Sequence, residues 1–363
     1  MSHPNLSGVK VALVLSGGNA LGAYQAGAYQ ALYDAGIEPD WVAGASVGSV
    51  NGAILCGNPP AQRLAALERL WRPSTPRGAA AGDWPGALED ARRTAVAAWT
   101  MAAGKPEIFT PRHLLGPWWN PFGNSEPASL YDTTPLRETL LGLVDFDRLN
   151  RDRPRYSATA VDIETGEDVV FDTRSHRIEP DHIRASSALL PAFSPVKVGD
   201  RWLGDAGISA NLPLDGVLSE VSGEPVLCIA IDLLPLQAPP PRTLGESVIR
   251  MQDLMFATQS RRAIASWQAI FDDCTNRGSA AAATIVHIAY SDHDREVSGK
   301  AFDFSPQTVA ERWQAGLRDM RHAIGRLAEG RITIGEAGLA VYALAEGRDP
   351  FVRVRWPLAP VAA

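Results

Sequence analysis

The chain has 363 residues, 45% of them hydrophobic and 21% charged, with a formal net charge of −7. That is length enough for a large core in one or two domains, and a net acidic surface gives no general affinity for nucleic acid. Three cysteines, Cys56, Cys228 and Cys274, show no CxxC spacing, which excludes a disulfide framework and a cysteine zinc site.

Residues 9–15 (VKVALVL) read as a short buried parallel strand. A tight turn at 16–19 (SGGN) follows, then a helical pattern over 20–35 that Gly36 ends. Gly22, Ala23, Ala26 and Gly27 predict close packing of this helix on the sheet. Residues 41–43 form a second strand and 46–55 a second helix, so the chain opens as two strand–turn–helix units, the pattern of a parallel sheet with right-handed crossovers. Between 74 and 129 Pro, Gly and Trp become frequent, with Trp84, Trp99, Trp118, Trp119, Phe109 and Phe122, and an amphipathic helix is expected over 85–103. Such a stretch reads either as a lid or lipid-contact segment or as aromatic capping of the core.

Strands are expected at 156–162 and 167–172, a short helix at 181–190 ended by Pro191, a hairpin over 196–198 and 201–203, and a buried strand at 225–232. A proline-rich linker at 235–241 leads to a long helix over 243–273, a strand at 282–290 and an amphipathic helix over 308–327. The arginines interleaved in the last stripe mark a surface helix packed on the core. No secretory signal and no apolar run of membrane-spanning length is read, which sets the expectation of a cytoplasmic protein that meets membranes at their surface.

Three short sequences carry chemistry. Gly44-Ala45-Ser46-Val47-Gly48 is a GxSxG string between a strand and a helix, where a strained turn exposes a serine hydroxyl at a helix N-terminus. Gly44 and Gly48 are read as the small residues of that elbow. Ser16-Gly17-Gly18-Asn19 leaves unobstructed backbone N–H groups at a strand end, as an oxyanion hole requires. A GxGxxG dinucleotide turn fails there because position 19 is Asn. Asp205, in Gly204-Asp205-Ala206-Gly207, is an acid among small residues at a strand end, placed to act as a general base.

In combination these strings, with LVLSGGNALGAYQAGAYQAL, VAGASVGSVNGA and RASSALLPAFSPVKVGDRWLGDAGISANLPL around them, resemble the patatin-like phospholipase family over roughly residues 9–232. The later helices resemble the extension of one bacterial subgroup. The resemblance implies a three-layer α/β/α fold with a central, mainly parallel sheet, and hydrolysis of lipid acyl esters with no cofactor and no metal. By motif it makes Ser46 the nucleophile and Asp205 the base of a dyad, with oxyanion donors at Gly17, Gly18 and Asn19. It departs from the family at Asn19, where the loop usually has a third glycine, at Leu21, where it has a basic residue, and at Ala206, where the family has glycine. The expected division is a catalytic domain over 8–235 and a mainly helical extension over 236–363, packed on the same core. The partner is a lipid or ester substrate, with no nucleic acid, and the oligomeric state is open. Two readings compete: an esterase with a Ser–Asp–His triad, for which His293 is the loop candidate ahead of His287 and His322, and a lipid-binding or regulatory protein without catalysis. Transfer of the acyl group to an alcohol shares the same acyl-enzyme and stays open.

Overall fold

A computed structural model describes residues 4–71, 86–112, 127–151, 153–290, 296–297, 299–344 and 351–357. The strands are β1 (Lys10–Leu15), β2 (Trp41–Ala45), β3 (Thr110–Pro111), β4 (Tyr131–Asp132), β5 (Arg155–Asp162), β6 (Asp168–Asp172), β7 (Val196–Val198), β8 (Arg201–Asp205), β9 (Val226–Asp232), β10 (Ala282–Ala289), β11 (Gly338–Leu344) and β12 (Phe351–Arg353). The helices are α1 (Ala23–Asp34), α2 (Val47–Cys56), α3 (Pro60–Trp71), α4 (Gly86–Ala103), α5 (Thr134–Leu143), α6 (Phe146–Leu149), α7 (Pro180–Ser186), α8 (Gly207–Ala210), α9 (Leu214–Leu218), α10 (Leu244–Asn276) and α11 (Pro306–Ala328).

Among the described residues ten strands make one sheet, and β3 with β4 form a separate two-residue ladder. β11, β10, β9, β1, β2 and β5 are neighbours in that order and all parallel. The antiparallel pairs lie at the margins: β12 on β11, β6 and β8 on β5, and β7 on β8. Parallel strands buried on both faces need continuous apolar sequence, and β1 and β9 supply it. Along β1, Val11, Leu13 and Leu15 enter one core with α1, α2 and α11, while Ala12 and Val14 enter the other with α9 and α10. The period of two along a strand thus divides one run between two layers. This is the three-layer, mainly parallel α/β fold expected from the sequence.

The strand–turn–helix order holds, with differences that have local causes. The first helix opens as a 3-10 turn over Asn19–Gly22 before α1 begins. Gly27 packs on α11 and not on the sheet, since a Cβ there would sit 1.8 Å from the Trp313 carbonyl oxygen. α7 stops at Ser186, four residues before the expected end. Beyond residue 235 the chain supplies α10 and α11, and also β10, β11 and β12, which extend the same sheet through β9. The alanine- and glycine-containing run of β11 and the three residues of β12 give no strand signal in sequence. Among the described residues no helix is long and apolar enough to cross a membrane.

Candidate active site

The sheet register brings the two key residues together. Ala45, the last residue of β2, lies opposite Thr159 of β5; Asp205, the last of β8, lies opposite Ala160. β6 occupies the other edge of β5, so β2 and β8 share one edge and run toward each other. Their C-terminal ends meet at adjacent partner positions. Residues 159 positions apart in sequence are therefore fixed by hydrogen-bond register and not by loop geometry.

Ser46 stands at the end of β2 with φ 54° and ψ −129°. A β-carbon is disfavoured at that angle, at a cost of order 1–3 kcal/mol, so the surroundings must hold it there. The Ser46 N–H donates to the Ser186 carbonyl at 3.0 Å, and its carbonyl accepts from Ser49 Oγ at 2.6 Å and Ser187 Oγ at 3.1 Å. α7 is cut short because Ser186 and Ser187 turn to make these bonds. The elbow glycines answer to backbone contact: a Cβ on Gly44 would lie 2.4 Å from the Gly48 carbonyl, and one on Gly48 would lie 2.2 Å from the Leu15 carbonyl oxygen.

Asp205 is buried, with the Gly207 N–H donating to Oδ1 at 2.7 Å and the Ser46 side chain as its other polar neighbour. Burial pushes its carboxyl up from an ordinary 3.8 to about 7, against the opposing pull of Ser46 and the Gly207 N–H. A base poised near neutrality matches the task of taking a proton from a serine hydroxyl at neutral pH.

The glycine loop needs one correction. The Gly17 N–H donates to the Asn211 carbonyl at 3.1 Å, so it is already committed and does not serve as an oxyanion donor. Gly17 is required instead for close approach, since a Cβ there would lie 2.8 Å from Ser46 Cβ and 2.6 Å from Asn211 Oδ1. The N–H groups of Gly18 and Asn19 have no partner among the described residues. Asn19 sits at φ 51°, in the left-handed region that Asn tolerates better than most residues, so it keeps the loop shape that a glycine would give. Leu21 is fully buried in the cavity wall. The basic group at this junction comes from α11: Arg312, itself buried, donates to the Ala20 carbonyl at 3.1 Å and is paired with Glu296.

Ser46 and Asp205 open into a cavity of about 470 Å³. Its walls include Leu21, Trp71, Leu136, Phe193, Phe302 and Phe304. Asp205 and Lys300 are its charged lining residues among those described, and Lys300 is neutralised by buried Asp253 at 2.8 Å. Asn211 also lines it, with Nδ2 buried and without a partner among the described residues. Of the Trp-rich segment, Trp84, Trp118, Trp119 and Phe122 lie outside the described residues. Trp99 is exposed on α4, and Phe109 is buried among Tyr131, Phe193 and Phe302. No histidine lines the cavity among the described residues. His287 lies in β10, 3.6 Å from Asp232, His322 packs on Phe351, and His293 lies outside the described residues.

A family model described as patatin-like phospholipase matches residues 13–218, more than half of the chain. The protein belongs to the patatin-like phospholipase family. Within this patatin-like chain a second model, described as patatin phospholipase, matches residues 259–329, which span most of α10, β10 and α11. Among curated proteins, a neuropathy target esterase of Drosophila sechellia is 38% identical over 66 residues, which is 18% of this chain and 4% of that protein. Two solved structures are similar over 90% of the chain. VipD from Legionella pneumophila is 17% identical, with 68% of that chain covered and a TM-score of 0.44. The ExoU–SpcU complex of Pseudomonas aeruginosa gives 16%, 53% and 0.35.

Three supports of the site escape a reading of the sequence. Ser186 and Ser187 stand inside the quoted RASSALLPAF string, yet nothing in it says that they bond to Ser46. Asn211 follows the aspartate motif at short range, and its role appears only once its carbonyl meets Gly17. Arg312 is 292 residues from Ala20, and no local pattern links them.

Proposed function

We propose that this patatin-like chain is a serine acyl hydrolase of lipid esters, with Ser46 as nucleophile and Asp205 as general base. The observation that carries the reading is the junction of β2 and β8, which puts a strained serine beside a buried carboxyl at the floor of an apolar cavity. Asp205 takes the hydroxyl proton as Ser46 Oγ attacks the ester carbonyl. The N–H groups of Gly18 and Asn19, with Asn211 Nδ2 in the same wall, receive the oxyanion, and the N-terminus of α2 adds a favourable dipole. The proton passes to the departing alcohol; water, deprotonated by Asp205, then attacks the acyl carbon, the bond to Ser46 Oγ breaks, and Asp205 returns the proton to Oγ as the acid leaves. The paired Lys300 leaves no unbalanced charge on the cavity wall, so the pocket suits an acyl chain.

The test is labelling by a fluorophosphonate probe, read beside acid release from short and long acyl esters. Wild-type protein is expected to label and to cleave, and Ser46→Ala to do neither. Folded wild type that neither labels nor cleaves would sink the reading and favour a lipid-binding role.

Gly17→Ala separates loop geometry from folding. The new methyl group pushes on Ser46 Cβ and Asn211 Oδ1, and a displacement of about 1 Å at a reacting centre costs on the order of 10²-fold. The expected result is a loss of that size in kcat for a p-nitrophenyl ester, with the melting temperature within a few degrees of wild type. A variant with unchanged kcat would refute the close-approach role.

A further inference from the structure

The first three turns of α10 carry apolar side chains where a helix on a water-soluble surface carries polar ones. Leu244 is 87% exposed, Val248 61%, Met251 57% and Met255 50%. At about 100° per residue these four fall within an arc of about 60°. The opposite face, through Asp253, Phe256, Ala257 and Ser260, is the buried one. The stripe therefore lies opposite the helix's buried face. Two further steps along it, past Thr258 and Gln259, stands Arg262, which is exposed.

The stripe is continuous with the catalytic cavity. Val248, Met251 and Met255 line that cavity as well as reaching solvent, and exposed Leu190 and Ile208 stand on the same rim. A contiguous apolar patch of this kind marks an interaction surface. We infer that the α10 stripe docks on the surface of a phospholipid aggregate and holds the cavity mouth against it. This inference rests on the hydrolase reading for its purpose, and on the exposed stripe for its evidence. The occupant follows from what the stripe adjoins. An acyl chain leaving a bilayer for Ser46 crosses this rim without entering water, and Arg262 at the end of the apolar line meets the depth at which lipid phosphates begin. Beside the first three turns exposed Glu246 offsets exposed Arg242, and Arg262 stands beyond them. Apolar burial therefore drives the docking, and zwitterionic lipid suffices.

The experiment uses full-length Ser46→Ala protein, which binds without digesting the probe, floated with phosphatidylcholine vesicles. Leu244→Glu is the decisive variant. Leu244 is the first residue of α10 and does not line the cavity. A carboxylate there favours the helix dipole, so folding is not at risk. Ile270→Glu, at a 46% exposed position near the far end of α10, is the control for added charge. Expected are flotation of the Ser46→Ala parent and of Ile270→Glu, and partitioning at least about tenfold weaker for Leu244→Glu, the loss of one buried leucine. In the Ser46-containing background, Leu244→Glu is expected to hydrolyse a soluble short ester as wild type does. Flotation that Leu244→Glu leaves intact, or a parent that does not float, overturns the inference. A dimer in solution that Leu244→Glu splits, with no flotation, also overturns it and gives the stripe to a second copy. Short-ester turnover reports separately on the hydrolase reading, so the two can fail independently.

Discussion

Asp205→Asn is expected to lose at least about 10³-fold in kcat/KM and yet to unfold at a higher temperature than wild type above pH 7. Both effects have one cause. Burial raises the folded carboxyl to about 7 from an ordinary 3.8. Between those pH values the folded chain holds a proton that the unfolded chain has released, so stability falls as pH rises through the window and is level on either side. The displacement of roughly three decades corresponds to a fall of about 4 kcal/mol. Asparagine carries no charge at any pH and can still accept from the Gly207 N–H, so its stability should not fall there. Thermal unfolding of both proteins at pH 4 and pH 8 measures the difference: small at the lower pH, several degrees in favour of Asp205→Asn at the higher. Wild-type kcat/KM should rise about tenfold per pH unit below about 7 and level off above it, as a base with that affinity requires. Parallel stability curves for the two proteins would mean that Asp205 is not desolvated, and would remove the physical basis for its role as base.

The site was legible in sequence to the extent that its parts are local. The elbow glycines sit within two residues of Ser46, and the need for them is a matter of backbone distance that GxSxG spacing expresses directly. The strand before and the helix after follow from apolar runs and a glycine stop. The partner aspartate could be singled out by its small neighbours, but its nearness to Ser46 depends on β2 and β8 sharing an edge of β5, and register between non-sequential strands leaves no trace in either segment. The glycine loop shows the opposite failure. Gly17 looks like a donor because glycine exposes an N–H, yet that N–H is bonded to Asn211, a partner that local sequence does not reveal. The contribution of the last third of the chain was the least legible. Gln259 on α10 accepts from the Asn211 N–H and donates to the Gly207 carbonyl, and Arg312 on α11 holds Ala20. Both brace the loops around Ser46 and Asp205 from segments whose periodicity announces only amphipathic helices.

Gly316→Ala is expected to destabilise the protein by about 3 kcal/mol or more, and to reduce kcat at temperatures where the chain remains folded. α1 and α11 cross with a glycine from each against the backbone of the other. A Cβ on Gly27 would lie 1.8 Å from the Trp313 carbonyl oxygen, and one on Gly316 would lie 1.9 Å from the Tyr24 carbonyl oxygen. No rotamer change relieves a contact with backbone, so the helices must separate. Separation loosens the packing of Trp313, Leu317 and Met320, all buried in the core shared with α1. It also carries away Arg312, one turn before Gly316, and with it the bond to the Ala20 carbonyl beside the glycine loop. Gly325→Ala supplies the contrast on the same helix: its Cβ meets nothing within 4 Å, so helix propensity alone should make it about 1 kcal/mol more stable than wild type. Chemical denaturation of the two variants, read with ester turnover, tests the coupling. If Gly316→Ala lost stability while native-state kcat stayed at the wild-type value, α11 would be a covering layer only, and the glycine loop would keep its shape without Arg312.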